Sequence, residues 1–115
     1  MNALITPAEH DVLAANGHLS RQDPSFDPMP VLKLFRPDAN ATWLLTETDP
    51  DDADRAYGLC DLGQGTPELG WVSLQELMEV LGPMRMPIAR DMYFVPRQTL
   101  SAYARDAQRA GSIVM

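Results

Sequence analysis

The sequence predicts one α+β domain, an antiparallel or mixed β-sheet of about five strands with about three helices. Three observations support this prediction. The chain has 115 residues, the length of a single domain. Two segments begin with helix-capping patterns, and short runs rich in apolar, aromatic and β-branched residues lie between and beside them. Neither an internal repeat nor a low-complexity linker interrupts the chain, so residues 1–115 are expected to form one domain.

A helix is predicted near residues 7–16. The segment Thr6-Pro7-Ala8-Glu9 matches a capping box with proline at the first helical position. Gly17 follows at a position typical of a helix end. Residues 18–30 contain three prolines among Asp and Ser residues, a composition that breaks regular structure. We therefore expect an extended surface loop between this helix and the sheet.

Four short runs predict the first four strands. Two of them, residues 31–36 and 41–46, flank Pro37-Asp38-Ala39-Asn40. These four residues favour a turn, so a β-hairpin is the expected connection. The other two strands are predicted at 55–62 and 68–72, on either side of a glycine-containing turn.

The side chains along these strands predict what the sheet buries. Alternation in the third run places the small residues Ala56, Gly58 and Cys60 on one face, over which we expect a bulky group to pack. Trp43 and Trp71 each fall in a predicted strand. Burial in the core is the expectation for both rings, whereas an exposed tryptophan would mark a binding surface.

Four further elements are predicted towards the C-terminus. Ser73-Leu74-Gln75-Glu76 is a second capping box, and apolar residues at helical spacing continue to a stop at Gly82-Pro83. A strand over 88–95 and a helix near 100–110 follow. The apolar tail 112–115 is a candidate edge strand, and it could equally pair with a second copy in a homodimer.

Charge is unevenly distributed along the chain. Sixteen Asp and Glu against nine Lys and Arg give a net charge of −7. Residues 1–82 carry 14 acids and 4 bases, net −10, whereas residues 83–115 carry 2 acids and 5 arginines, net +3. An acidic surface repels phosphate backbones, so direct nucleic-acid binding is disfavoured and a basic protein partner is favoured. The alternative is that the charge only keeps a small protein soluble.

The acidic run at residues 46–54 is the main candidate for a partner-binding surface. Its carboxylates are Glu47, Asp49, Asp51, Asp52 and Asp54, and three further acids, Glu68, Glu76 and Glu79, form a second candidate patch. Clustered carboxylates also suit Ca²⁺ or Mg²⁺, but this spacing lacks the glycine and the oxygen ligand that a calcium-binding loop requires. The remaining alternative is a solvated turn, with Asp49 and Pro50 beginning a helical turn.

We predict no catalytic residue, cofactor site or metal site, and we expect a protein that is not an enzyme. His10 and His18 are too far apart in sequence for a zinc pair on one helix. Cys60 is expected to be a small core residue, and the glycines of the third and fourth strands and of the turn between them do not match a dinucleotide-binding pattern. A metal-dependent enzyme is the alternative, and it is disfavoured because no nucleophile, base and orienting group can be named together.

The basic residues of the C-terminal segment suggest a different contact. Arg105 and Arg109 are four residues apart on the predicted last helix and share a face, and Arg97 precedes that helix. Their guanidinium groups could bind phosphate or carboxylate. The alternative is that they complement the dipole of the helix.

The sequence also predicts a location. No run approaches the roughly 20 apolar residues of a membrane helix, and the N-terminus lacks the basic and apolar regions of a signal peptide. We therefore expect a cytoplasmic protein that does not associate with membranes.

Several segments of the sequence resemble one known family. They lie at 30–35, 41–47, 57–63 and 67–74, with further similarity at 4–7 and 100–104. Together they resemble the bacterial domain-of-unknown-function family DUF2958 over nearly the whole chain. The resemblance implies a context and no activity: such proteins are encoded on plasmids and other mobile DNA, often among antirestriction, partition and transfer genes. It implies no catalytic residues.

Context and charge together give two hypotheses. The first is an acidic interaction protein that inhibits a host nucleic-acid-targeting defence system, of the anti-CRISPR or antirestriction type, by binding a basic surface of a CRISPR effector or restriction complex. The second is an accessory module of plasmid maintenance or conjugation. It would contact nucleic acid or a transfer protein through the arginines of the C-terminal segment.

Overall fold

The fold is given by a computed structural model that describes residues 4–115. The elements are α1 (Pro7–Gln22), β1 (Leu32–Arg36), β2 (Ala41–Asp49), β3 (Asp52–Asp61), β4 (Glu68–Ser73), α2 (Leu74–Glu79), β5 (Ala89–Arg90) and α3 (Leu100–Ala110). The strands form one sheet in the order β4-β3-β2-β1-β5. All neighbouring strands are antiparallel, which confirms the predicted α+β class.

Helix α1 begins as predicted and ends later than predicted. Thr6 caps it, because its side chain accepts a hydrogen bond from the Glu9 amide while the Glu9 carboxylate accepts from the Thr6 amide. The expected stop at Gly17 is wrong. The helix continues to Gln22 because Gly17 lies where α1 crosses β2, and a Cβ atom there would come within 1.9 Å of the Thr48 carbonyl oxygen. This glycine therefore serves close packing.

The four predicted strands are confirmed, and β2 and β3 extend further towards their shared turn than expected. β1 and β2 form the predicted hairpin, in which Leu34 pairs with Trp43. β2 runs to Asp49 and β3 starts at Asp52, so the acidic run forms the end of a second hairpin. The expected helical turn from Asp49 and Pro50 is therefore wrong.

Helix α2 starts at the predicted cap and is shorter than predicted. Ser73 caps it by accepting a hydrogen bond from the Glu76 amide, and the helix ends at Glu79, well before Gly82. The Arg36 guanidinium donates to the carbonyl oxygens of Leu77 and Val80, at 3.3 and 2.6 Å, and so satisfies the free end of the helix.

The long strand predicted over 88–95 is wrong, because only Ala89 and Arg90 pair with β1. The Asp91 carboxylate accepts the backbone N–H of Tyr93 at 2.9 Å, which forms a turn and directs the chain away from the sheet. Helix α3 has the predicted bounds. The tail 112–115 adds no strand, and its Ile113 amide donates instead to the Asp61 carboxylate at 2.9 Å.

Two hydrophobic clusters lie on opposite faces of the sheet. On the face that we call the α1 face, Leu13 of α1 and Leu74 of α2 pack with Trp43 and Leu45. The small residues Ala56 and Cys60 pack in or against this cluster. On the α3 face, α3 covers the buried side chains Leu44 and Leu59. The central strands are therefore enclosed from both sides.

Candidate functional site

The acidic run occupies the tip of the β2–β3 hairpin. Asp49 and Asp52 are the last paired residues, and Pro50 and Asp51 form the turn between them. The Asp49 carboxylate accepts the backbone N–H of Asp51 at 2.9 Å, and the Asp52 carboxylate accepts that of Asp54 at 3.0 Å. Local hydrogen bonds of this kind favour turns, so the sequence specifies the tip.

The five carboxylates of the run have different surroundings. Asp51 and Asp52 are exposed, and Asp51 lies 3.1 Å from the Arg21 guanidinium. Asp49 is mostly covered and lies within ion-pair distance of the guanidinium groups of Arg21, at 3.2 Å, and Arg55, at 3.4 Å. Part of the negative charge that the sequence displays is thus neutralised within the chain.

The second candidate patch divides into two parts. Asp54 accepts hydrogen bonds from the Ser73 hydroxyl and from the Gln75 amide, and the Gln75 side chain donates to Glu79 at 2.9 Å. These contacts join α2, which carries exposed Glu76 and Glu79, to the hairpin tip. We call Asp51, Asp52, Asp54, Glu76 and Glu79 the acidic end. Glu68 is exposed and separate from it, because it lies at the opposite end of β4 from Ser73.

Glu47 is not part of this surface. Only 7% of the residue is exposed, although the sequence places it in the same acidic run. Burial raises the pKa of its carboxyl group above the usual value, and a hydrogen bond with Ser20 partly opposes that shift. Among residues 4–115, no Lys, Arg or His side chain lies within ion-pair distance of Glu47.

A β-bulge determines where the Glu47 side chain points. Leu45 pairs with Gly58 and Glu47 pairs with Tyr57, so Thr46 is an extra residue in β2. Without the bulge, Glu47 would continue the alternation of Trp43 and Leu45 and point into the core on the α1 face. The bulge turns it to the α3 face, opposite Tyr57. A hydrogen bond from the Thr46 hydroxyl to the Tyr57 carbonyl, at 3.2 Å, stabilises this arrangement.

A cleft of about 240 Å³ opens beside Glu47, and we call it the Glu47 cleft. Its lining includes Ser20 at the end of α1, Phe26 in the following loop, Tyr57 on β3 and Trp71 on β4. Burial and the nearby Glu47 charge raise the pKa of the Tyr57 hydroxyl. The lining also includes Asp27, whose carboxylate accepts hydrogen bonds from the Ser101 amide and hydroxyl. Two carboxylates and three aromatic rings thus meet in one concave site.

The expectation that both tryptophans are buried is correct for Trp43 and wrong for Trp71. Trp43 is buried on the α1 face, with the Arg36 guanidinium 5.6 Å from its ring centroid. Trp71 is 43% exposed because it lies on the edge strand β4. Its ring contacts Tyr57, with centroids 5.1 Å apart, and the Arg55 guanidinium lies 4.9 Å from its centroid. Partial exposure next to a cleft is typical of an aromatic binding residue.

Glu47→Gln is expected to raise the free energy of unfolding by about 1 kcal/mol at pH 7, because it removes a buried charge that has no cationic partner. The raised pKa in the folded state makes the ionised carboxylate unfavourable there. The gain should therefore be complete above the folded pKa and vanish as the pH falls below about 4.5, the unfolded value. Urea unfolding of both proteins between pH 4 and pH 8 measures it. A loss of stability at pH 7 would contradict it.

The other candidate residues lie elsewhere. Cys60 packs against the core on the α1 face, and burial, with a smaller contribution from Glu68, raises the pKa of its thiol to about 11, so it stays protonated. Arg97, Arg105 and Arg109 are exposed, and Arg109 lies 3.7 Å from Asp106. The part of the chain that the structure describes contains no group of three His, Cys, Asp or Glu side chains arranged to hold a metal ion.

Neither the bulge nor the Glu47 cleft was predicted from the sequence. The local signal that was available is Thr46, a β-branched polar residue directly after the apolar residues Trp43-Leu44-Leu45. It does not distinguish a bulge from a regular strand. Of the helices between residues 4 and 115, none is long and apolar enough to cross a membrane.

Comparison with known protein families places the chain in a family of unknown function. A sequence model of the family described as a protein of unknown function, DUF2958, matches residues 4–114. No curated protein and no solved structure is significantly similar to the chain.

Proposed function

The chain belongs to the DUF2958 family, and on that premise we propose that it is a non-enzymatic interaction protein that binds a basic surface of another protein. The observation that carries the proposal is the acidic end. There, Asp54 joins the exposed carboxylates of the hairpin tip to those of α2. A concentrated negative field accelerates association with a basic protein and orients it, and it repels phosphate.

The proposed partner is a host defence complex that handles nucleic acid, of the CRISPR or restriction type, in the bacterial cytoplasm. Such a complex must present a basic channel to DNA or RNA, and an acidic protein of this size can cover that channel. The context of mobile DNA that the family resemblance implies supports this choice. Inhibition would then result from exclusion of nucleic acid and would need no chemical step.

Capture of tagged protein from nuclease-treated bacterial lysates that contain CRISPR and restriction effectors tests the proposal. We expect one defence complex in near-stoichiometric amount, because nuclease treatment leaves only direct protein contacts. Failure to capture any basic protein would overturn the proposal.

Neutralisation of the acidic end should slow association with the captured complex about tenfold or more at low salt. The variant carries Asp51→Asn, Asp52→Asn and Glu79→Gln, because each amide oxygen can still accept the local hydrogen bonds. The control carries Glu68→Gln, Asp91→Asn and Asp106→Asn, which change the net charge equally at other places. Stopped-flow or surface-binding kinetics at two salt concentrations measure the rates. Equal slowing in both variants would show that only net charge matters.

A second candidate function rests on the exposed arginines 97, 105 and 109. An accessory module of plasmid maintenance or conjugation would contact nucleic acid or a transfer protein through them. This function requires DNA binding that weakens with salt and is lost when the three arginines are neutralised. Capture that succeeds only when DNA is left intact would favour it over the first candidate.

A further inference from the structure

Glu47 lacks the cation that a buried carboxylate normally requires. Two arginines contact the surroundings of the cleft, Arg21 in an adjoining depression and Arg55 over the Trp71 ring. Both guanidinium groups pair with Asp49 instead, and Arg21 pairs also with Asp51. Arg21 and Glu47 also line a small adjoining depression on the side of the hairpin tip. A buried, desolvated carboxylate attracts a cation more strongly than an exposed one.

The walls of the Glu47 cleft suit the same kind of ligand. The faces of Tyr57 and Trp71 carry negative potential, and aromatic rings bind ammonium and guanidinium groups well where water is excluded. The chain already shows this preference at Trp71, where Arg55 lies over the ring. The volume of about 240 Å³ is below the roughly 300–1,000 Å³ of small-molecule pockets, which indicates space for a single side chain.

The geometry points to the Glu47 cleft as the receptor for one arginine or lysine side chain of the basic protein partner. The carboxylate of Glu47 binds the cationic head, and Tyr57 and Trp71 contact its stem and face. This inference rests on the proposed function: the acidic end orients the basic partner, and the cleft then binds one arginine or lysine of that partner.

Other ligands fit the cleft less well. A phosphate group would be repelled by Glu47. A divalent cation requires several oxygen ligands, and within residues 4–115 no group of three suitable side chains is assembled. An apolar side chain would leave the buried carboxylate without a partner.

The first experiment titrates N-acetyl-arginine methylamide into the ¹⁵N-labelled protein and follows the two indole N–H resonances by NMR. We expect a saturable shift at Trp71, with Trp43 as the buried internal reference. Glu47→Gln should weaken binding at least about tenfold, while Glu68→Gln, which removes the same charge at a distant exposed site, should not. The neutral norleucine analogue, which has no cationic head, should produce no saturable shift.

Two results would overturn the inference. One is equal binding of the arginine analogue to the wild-type protein and to Glu47→Gln. The other is equal binding of the arginine and norleucine analogues. The melting temperature of Glu47→Gln, expected to be at least that of the wild type, verifies that weaker binding does not reflect unfolding.

The second experiment separates this inference from the proposed function. If the captured complex binds Glu47→Gln as tightly as the wild type but loses affinity for the variant of the acidic end, the cleft inference fails and the proposed function stands. If the arginine analogue binds the cleft but no basic protein is captured, the proposed function fails, and the inference that the cleft binds a cationic side chain stands. Loss of the captured complex with either variant supports both.

Discussion

Gly17→Ala is expected to lower the free energy of unfolding by about 2 to 3 kcal/mol, in spite of the better helix propensity of alanine. The added Cβ would lie 1.9 Å from the carbonyl oxygen of Thr48 and 3.1 Å from its carbonyl carbon. Both atoms belong to the backbone of β2, a strand enclosed between two others, so no side-chain rotation relieves the contact. Either α1 or β2 must move.

Gly70→Ala is the matched control for this substitution. Gly70 lies on the edge strand β4, and a Cβ there would meet no atom within 4 Å. We expect its free energy of unfolding to change by less than about 0.5 kcal/mol. Urea denaturation of the three proteins under one set of conditions gives the comparison. Equal stability of both variants would show that α1 can shift away from β2 without loss.

The close approach at Gly17 also matters for the Glu47 cleft. The helix is fixed to β2 by the Asn16 side chain, which donates to the Thr46 carbonyl at 2.9 Å. One turn beyond Gly17, the same helix brings Ser20 to Glu47 and Arg21 to Asp49. A displaced helix would therefore move two groups of the candidate site, and Gly17→Ala should weaken binding as well as stability.

Local patterns predicted the elements whose ends depend on local contacts. The cap at Thr6, the turn between β1 and β2, and the bounds of α3 all follow from residues within a few positions of each other. The errors occurred where a contact with a residue distant in sequence determines where an element ends. Gly17 ends no helix because β2 lies against it, and α2 stops early where Arg36 of β1 binds its last carbonyl groups.

The candidate site was predicted in part for the same reason. The exposed carboxylates at 51 and 52 are visible in the sequence because turn-forming residues surround them. Glu47 looks like a member of the same group, since a one-residue bulge changes its face without altering the hydrophobic pattern. Trp71 looks like a core residue, because the sequence does not show that β4 is the edge of the sheet.

Glu9→Gln is expected to lower the free energy of unfolding by about 2 kcal/mol at pH 7. The Glu9 carboxylate forms a salt bridge with the Arg90 guanidinium and accepts the Thr6 amide at 3.0 Å, so it links α1 to β5. Hydrogen bonding by Arg90 is the main reason that the pKa of Glu9 falls from 4.5 to about 2. The Arg90 Nε atom is buried and already has no hydrogen-bond partner among the described residues, so loss of the carboxylate leaves the guanidinium poorly satisfied.

The effect of Glu9→Gln should depend on pH with a defined sign. Because folding lowers this pKa, the contribution of the carboxylate is complete above the unfolded value of 4.5 and disappears as the pH falls towards about 2. Urea unfolding at pH 7, 5, 4 and 3 should therefore show the two proteins converging. A stability difference that stays constant over this range would mean that the Glu9 side chain stabilises the fold through packing and not through its charge.

Substitution of Glu9 and of Glu47 by glutamine should change the free energy of unfolding in opposite directions. Both are acids with reduced exposure, yet Glu9→Gln should destabilise the fold at neutral pH and Glu47→Gln should stabilise it. The difference arises because Arg90 pairs with Glu9, whereas the described part of the chain supplies no cation to Glu47. Glu47 lowers the stability of the free protein, and its presence is explained if a partner protein supplies the cation on binding. The stabilisation from Glu47→Gln should accordingly reverse to a loss in the complex, because there the wild-type carboxylate pairs with the arginine or lysine of the partner.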